Sequence, residues 1–276
     1  MPELPEVEST RRFLAPVIVG HTIRAADVRR DRMVRRHERP GDFADRVVGR
    51  RIESLDRRGK FLLARLAGDI TWVTHLGMSG RIAVAEPGEA EAPHTNVVVH
   101  IDGPVEIRLV DPRTFGFVAA WTADELALMF EGRIGRDALG DLPTSRDLEQ
   151  ALAGRTSPIK ALLLDQRIVS GLGNIYVDEV LHRAAIRPDR PGGSLDALEV
   201  RALRRAIRPV LEAGIRHGGT SLGDLAYLLP DGRAGDYMQR LAAYGREGEP
   251  CRRCGGIIER SVIRDRSSFW CAGCQV

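Results

Sequence analysis

Four cysteines and one proline carry most of the chemistry legible in this chain. Its cysteines are Cys251-x-x-Cys254 and Cys271-x-x-Cys274, two knuckles separated by residues 255–270. A disulfide framework spreads its cysteines across a small secreted chain, whereas paired knuckles at this separation offer four thiolates to one tetrahedral zinc ion. Four sulfur ligands leave no open coordination position, so the metal is expected to fold its segment and take no part in a reaction. The second signal is the start, MPELPEVE. Methionine is normally removed before a small second residue, leaving Pro2 with a free secondary amine. An α-amine is a nucleophile whose pKa lies well below that of lysine. Its attack on an aldehyde carbon gives a charged iminium, a strong electron sink, and Glu3 beside it can donate and accept protons. The terminus is therefore a candidate active site.

The rest of the chain has to position these residues. Pro5 suits the first helical position and Glu6 the first turn. The spacing of Val7, Leu14, Val17 and Ile18 then predicts a helix over 5–19 that stops at Gly20, with Pro16 kinking its end. Between His21 and Trp121 come TIRAADV, FLLARL, ITWVTHL, RIAVA, NVVVHI, VEIRLV and FGFVAAW, broken by Gly-Asp, Asp-Gly and Pro-Gly turns. So many short strands predict an antiparallel sandwich with one helix attached. From Thr122 onward the pattern is helical. Thr122-x-x-Glu125 is a capping box, Ser157-Pro158 reads as an N-cap and first helical residue, and Asn174 reads as the N-cap of NIYVDEVLHRAAI. A helix over 196–217 closes at Gly218-Gly219, and residues 220–248 form a long irregular loop. Between the cysteine pairs, IIERSVI and SFW around the turn RDRS predict a zinc-clipped β-hairpin.

The chain has 276 residues, enough for two cores, with 43% hydrophobic and 29% charged residues. No apolar run reaches the roughly 18 residues that span a bilayer, and no basic-then-apolar leader is present, so neither a membrane nor secretion is expected. A formal charge of +3 and a pI near 8.8 allow a polyanionic partner without demanding one. The Gly-x-Gly of SGLGNIY lacks the preceding strand and third glycine of a dinucleotide site. Two readings stay open there: a helix–two-turn–helix whose glycines admit a phosphate, and an ordinary αα-hairpin turn. Arg201, Arg204, Arg205 and Arg208 share a helix face, either a nucleic-acid track or a solvated surface. RRGK (57–60) reads as a basic hairpin turn, and Lys60 is no Walker lysine because neither Ser nor Thr follows it. HLGMSGR sets Met78 between turn residues, a poor place for a core methionine.

Taken in order, MPELPEVE, RRGKFL, HLGMSG, DPRTFG, KALLLDQ, GLGNIYVDE and the two CxxC pairs resemble the formamidopyrimidine-DNA glycosylase (Fpg) family of bacterial base-excision repair. The resemblance covers essentially the full chain. The start is nearer to this family than to its relative endonuclease VIII, whose terminus reads closer to MPEGPE.

The resemblance implies an α+β fold. A catalytic β-sandwich with the N-terminal helix would occupy 1–121, and a helix–two-turn–helix domain 122–240, including a lesion-capping loop at about 218–240. A four-cysteine zinc-finger hairpin would fill 241–276, and DNA would bind in the cleft between the domains. The activity implied is that of a bifunctional glycosylase and AP lyase for oxidised purines. Pro2 would be the nucleophile, Glu3 the proton shuttle and Glu6 the brace of the terminal turn. Lys60, His75, Asn174 and Arg266 would contact the phosphate backbone near the lesion, and Lys160 would lie near the flipped nucleotide. Met78, Arg113 and Phe115 would fill the gap left by that nucleotide, with Arg113 reading the orphaned cytosine. Cys251, Cys254, Cys271 and Cys274 would hold one structural zinc ion. The partner implied is damaged double-stranded DNA, with no membrane and no nucleotide cofactor, for a monomer in the bacterial cytoplasm, associated with the nucleoid through DNA.

The chain departs from the family at Thr114, where a basic residue is usual, and at Gly232-Arg-Ala-Gly235-Asp-Tyr237, where the capping loop normally ends G-x-x-G-x-F. Tyr237 is the capping candidate. Two rivals share some of these features. An endonuclease VIII-like enzyme for oxidised pyrimidines would keep the chemistry but differ in capping loop and wedge. A damage-sensing module would keep Asn174, Arg266 and the zinc but have no use for Pro2 and Glu3.

Overall fold

The computed structural model describes residues 2–221 and 227–276. The chain forms two compact units, Met1–Glu131 with His217–Asp236, and Gly132–Arg216 with Tyr237–Val276. Among the described residues no helix is long and apolar enough to cross a membrane.

The first unit opens with α1 (Leu4–Ile18), which buries Val7, Leu14 and Ile18 and holds Pro16 in its last turn. Then come β1 (Ile23–Val28), a 3-10 turn (Asp31–Val34), α2 (Asp42–Val47), β2 (Ile52–Arg58), β3 (Phe61–Leu66) and β4 (Ile70–His75). β5 (Arg81–Ala85), β6 (Thr95–Ile101), β7 (Glu106–Val110), β8 (Phe117–Thr122) and α3 (Ala123–Phe130) complete the run. Two four-stranded sheets form, in the orders β1-β6-β7-β5 and β2-β3-β4-β8, with every pairing antiparallel. This is the expected sandwich. Leu62, Trp72 and Val118 of one sheet meet Ile82, Val97 and Leu109 of the other in a core shared with α1. β2 and α2 were not foreseen, because IESLDRR carries little alternation and DFADRV is too short to show a helical period.

The second unit contains α4 (Ser145–Leu152), α5 (Ile159–Leu164), α6 (Asn174–Ala184) and α7 (Ala197–Arg216), a 3-10 turn (Tyr237–Arg240), and the hairpin β9 (Ile258–Ile263) and β10 (Arg266–Cys271). Gly214 of α7 lies where an added Cβ would come 2.6 Å from the Tyr176 ring of α6, so glycine permits the close packing of these helices. The arginine face of α7 is partly structural: Arg204 Nε donates to the Pro143 carbonyl and Arg208 Nη2 to that of Leu139. At the hairpin turn Arg264 and Asp265 both have positive φ, 44° and 63°, as a two-residue turn matched to strand twist requires.

Packing places α3 and the 217–236 segment in the first unit and residues 237–276 in the second. α3 joins the first unit because Leu126, Met129 and Phe130 close an apolar cluster on Phe61, Phe117 and Trp121. The 217–236 segment joins it too, through a Val84 N–H to Pro230 carbonyl bond and contacts with Glu6 described below. Residues 241–276 pack with the second unit, where Glu179 of α6 accepts hydrogen bonds from the amides of Ala242, Ala243 and Tyr244. Two caps also move. α5 begins at Ile159 with Pro158 as its cap, while Ser157 Oγ accepts from Arg264. Asn174 is the first residue of α6, capped by Gly173.

Candidate active site and nucleic-acid interface

The terminal turn is built around two carboxylates. Glu3 is the N-cap of α1 and forms a reciprocal capping box with Glu6, whose Oε2 accepts from the Glu3 amide at 2.8 Å. Both are 1% exposed. A carboxylate at a helix N-terminus faces free amides and the positive end of the helix dipole, which fixes Glu3 beside Pro2. Glu6 also reaches beyond the terminal turn. Its Oε1 accepts from the Thr220 amide at 2.7 Å, and its carbonyl accepts from the Tyr227 hydroxyl at 3.1 Å. Gly219 has φ +85°, and a Cβ there would come 2.8 Å from the Glu6 side chain, so only glycine fits. The return segment is fastened further where Ser221 Oγ donates to the Tyr227 carbonyl and accepts from the Gly235 amide.

Lys60 sits in the β2–β3 turn, 8% exposed. Arg57 ties that turn to α1: its Nη1 donates to the Gly59 carbonyl at 2.8 Å and its Nε to Glu8 Oε2 at 3.2 Å. Burial pushes Glu8 up, but hydrogen bonds from Arg11 and Arg12 outweigh it and hold the carboxyl below its usual range. Sequence reading missed Glu8 and Arg57, since their pairing spans two elements.

His75, half-buried at the end of β4, stacks on Phe117 and accepts the Gly77 amide at Nδ1. Burial, with Lys60, Arg35 and Arg36 nearby, pulls the ring down to about 4. It is therefore neutral at pH 7, with its proton on Nε2 as a donor rather than a charge. A folded value below the unfolded 6.5 means that the stability His75 contributes is full above about pH 6.5 and is lost as pH falls toward 4. His75→Gln is expected to flatten the urea midpoint across that window. A variant curve parallel to the parent's would remove the histidine as the cause.

Met78 and the Arg113–Phe115 pair lie on two loops brought into contact by β4 and β7. Gly77 has φ +66°, and a Cβ on it would fall 2.4 Å from the Gly116 amide and 2.5 Å from the Phe115 carbonyl carbon. Phe115 is 44% exposed, with the Arg113 guanidinium 5.8 Å from its ring centre. Thr114 between them takes φ 52°, a conformation that costs a non-glycine residue roughly 1–2 kcal/mol. The loop is held in it by Arg32 and Arg35, which donate to the Thr114, Phe115 and Gly116 carbonyls.

In the second unit Asn174 Nδ2 donates to the Ser267 carbonyl at 3.1 Å, and its buried Oδ1 has no hydrogen-bond partner among the described residues. Arg266 precedes Ser267 and is exposed at the hairpin end. Two expectations need correction. Lys160 is 0% exposed: its Nζ donates to Asp178 Oδ1 and to the Ser267 carbonyl, each at 2.7 Å, so it supports the hairpin and is closed off from a nucleotide. Tyr237 is 6% exposed and stacks on Tyr176 with ring centres 5.8 Å apart. It is a packing residue, since a ring fixed in that stack is unavailable to cap a lesion. Of the expected capping loop, residues 222–226 lie outside the described residues.

The four cysteine sulfurs lie within 4.8 Å of one another, with Cys251–Cys274 at 3.8 Å and Cys254–Cys271 at 3.4 Å. A tetrahedron with Zn–S of about 2.3 Å has edges of about 3.8 Å, so the site fits one zinc ion. His182 Nε2, 3.3 Å from Cys251 Sγ, is placed to donate to a ligating thiolate. Chelation is expected to unfold the hairpin, because structural zinc supplies about 10–16 kcal/mol of folding free energy in small modules. The readout is a red shift in emission from Trp270, now 7% exposed under the Arg187 guanidinium. Unchanged emission after full zinc release would show a hairpin that folds without metal.

Comparison with known proteins covers both units. Residues 1–118 match the model of the formamidopyrimidine-DNA glycosylase N-terminal domain, 134–225 that of the formamidopyrimidine-DNA glycosylase H2TH domain, and 248–276 that of a zinc finger found in FPG and IleRS. A formamidopyrimidine-DNA glycosylase of Ruegeria pomeroyi is 44% identical, with 100% of each chain covered. The crystal structure of MutM (Fpg) from Thermus thermophilus is similar at 40% identity and TM-score 0.88, covering 99% of this chain and 98% of that one. A complex between Lactococcus lactis Fpg and DNA containing an abasic site is similar at 31% identity and TM-score 0.91, covering 99% of each chain.

Proposed function

Because the chain belongs to the formamidopyrimidine-DNA glycosylase family, DNA glycosylases that act on damaged DNA, we propose that it is a bifunctional glycosylase and AP lyase. Its substrates are the oxidised purines 8-oxoguanine and the formamidopyrimidines in duplex DNA. The observation that carries the reading is Glu3, buried and locked by a capping box next to Pro2. With Met1 removed, the Pro2 nitrogen attacks C1′ of the damaged nucleotide; the C1′–N bond breaks and the base leaves. The sugar ring opens to an iminium. Loss of a C2′ proton then expels the 3′ phosphate, and loss of a C4′ proton expels the 5′ phosphate, leaving a gap with phosphate at both ends. Glu3 moves protons at the sugar, and Glu6 holds it in place. Lys60, neutral His75, Asn174 and Arg266 contact backbone phosphates, while Met78, Arg113 and Phe115 enter the stack vacated by the flipped base.

Borohydride trapping tests this on a duplex with one 8-oxoguanine opposite cytosine, beside a duplex carrying an oxidised pyrimidine. A covalent adduct on the purine duplex, much reduced in Pro2→Gly, is expected. Stronger trapping on the pyrimidine duplex would assign the endonuclease VIII type of substrate. Tight binding with no adduct on either would leave a damage-sensing module.

A further inference from the structure

We propose that Asp111 is a positioning residue that locks the Met78 loop and the Arg113–Phe115 loop into one wedge, so that both enter DNA as a unit. The proposal rests on the reading that these loops fill the stack. Asp111 follows β7 directly and is 0% exposed. Its carboxylate divides between the loops. Oδ1 accepts from Ser79 Oγ, the residue after Met78, at 2.6 Å, and from the Arg113 amide at 3.3 Å. Oδ2 accepts from the amide of Gly116, the residue after Phe115, at 2.7 Å. The Asp111 backbone is fixed in turn, its carbonyl accepting from Asn96 Nδ2 at 2.7 Å and its amide donating to the His94 carbonyl at 3.0 Å. One side chain anchored to the sheet therefore sets the distance between the two inserted loops.

The geometry separates what is rigid from what is presented. Gly77 packs backbone to backbone against Phe115 and Gly116, while the Phe115 ring stands out into solvent. An aromatic driven between stacked bases works only if its backbone does not yield, and two loops ordered in advance lose less freedom on insertion than two independent ones. A buried carboxylate suits this task because hydrogen bonds to a charged acceptor are stronger than neutral ones. Neither loop contains this information, since residues 79, 111 and 116 meet only in the folded chain.

The test uses full-length protein and a duplex with 2-aminopurine placed in the opposite strand beside the lesion, whose fluorescence reports insertion independently of excision. Asp111→Ala removes all three side-chain bonds and is expected to lower both insertion amplitude and single-turnover excision of 8-oxoguanine. A misplacement of about 1 Å typically loses on the order of 10²-fold in rate. Cleavage of a preformed abasic duplex should fall at least tenfold less, since no damaged base has to be unstacked. Ser79→Ala severs one arm and should give an intermediate loss. Asp111→Asn should recover part of it, because its oxygen can serve Gly116 and its amide can donate to Ser79. Should Asp111→Ala not fold, the Ser79→Ala and Asp111→Asn pair decides. Equal losses on both duplexes with insertion unchanged would overturn the proposal, as would normal excision and insertion in Ser79→Ala. A parent protein that inserts but excises no oxidised purine would overturn the substrate reading and leave the coupling standing.

Discussion

Glu3→Gln is expected to lower single-turnover base excision by about 10²–10⁴-fold, the range set by loss of one positioned general acid–base group. The substitution is chosen so that structure is not what changes. Gln retains an oxygen that can accept from the first turn of α1, so the capping box and the Glu6 bond to the Glu3 amide persist. Only the ability to take and return a proton is lost. Thermal midpoint and affinity for an abasic-site duplex should stay close to those of the parent. A near-parental excision rate would remove Glu3 from the proton path. A fall in rate accompanied by an equal fall in stability would assign it to the helix cap alone.

Lys160→Met is expected to destabilise the second unit by about 3–5 kcal/mol, the usual consequence of removing one partner of a buried ion pair. Asp178 is 0% exposed and, besides Lys160, accepts from the Phe269 amide and Ser268 Oγ. Burial raises its carboxyl to about 7 even though Lys160 opposes the shift. A carboxyl raised in the folded state contributes stability that is full below its unfolded value of 3.8 and is lost as pH rises through about 7. The Lys160→Met deficit should therefore be larger at pH 8 than at pH 5, where Asp178 can bind a proton. Adding Asp178→Asn should restore part of the loss, because the amide oxygen still accepts from Phe269. Urea titrations at the two pH values check this. A deficit below about 1 kcal/mol at pH 8 would show that the pair does not hold the hairpin in place.

What the sequence made legible is what is local. The cysteine spacing marks a metal site because its ligands belong to two short knuckles, and α1 is visible because Pro5, Glu6 and the apolar spacing agree. The sandwich could be read from strand alternation, except at β2, whose IESLDRR lacks it. Burial was not legible. Lys160 and Tyr237 carry polar groups that suit DNA as well as an interior, and only the partners Asp178 and Tyr176 show which applies. The Thr144–Asp147 capping box of α4 was also missed, because Asp stands where Glu or Gln is the recognised signal. The Asp111 cluster and the Glu8–Arg57 link have no signature at all, being assembled across strands.

The bond between Glu6 and the Thr220 amide joins residues 214 positions apart. During synthesis the amino terminus leaves the ribosome first, yet the amide that completes its brace appears only after 219 other residues have been joined. The segment 217–236, which packs with residues 1–131, is translated only after the whole of 132–216. A chain that stops short of Thr220 therefore lacks the amide that closes the turn on Glu6 Oε1.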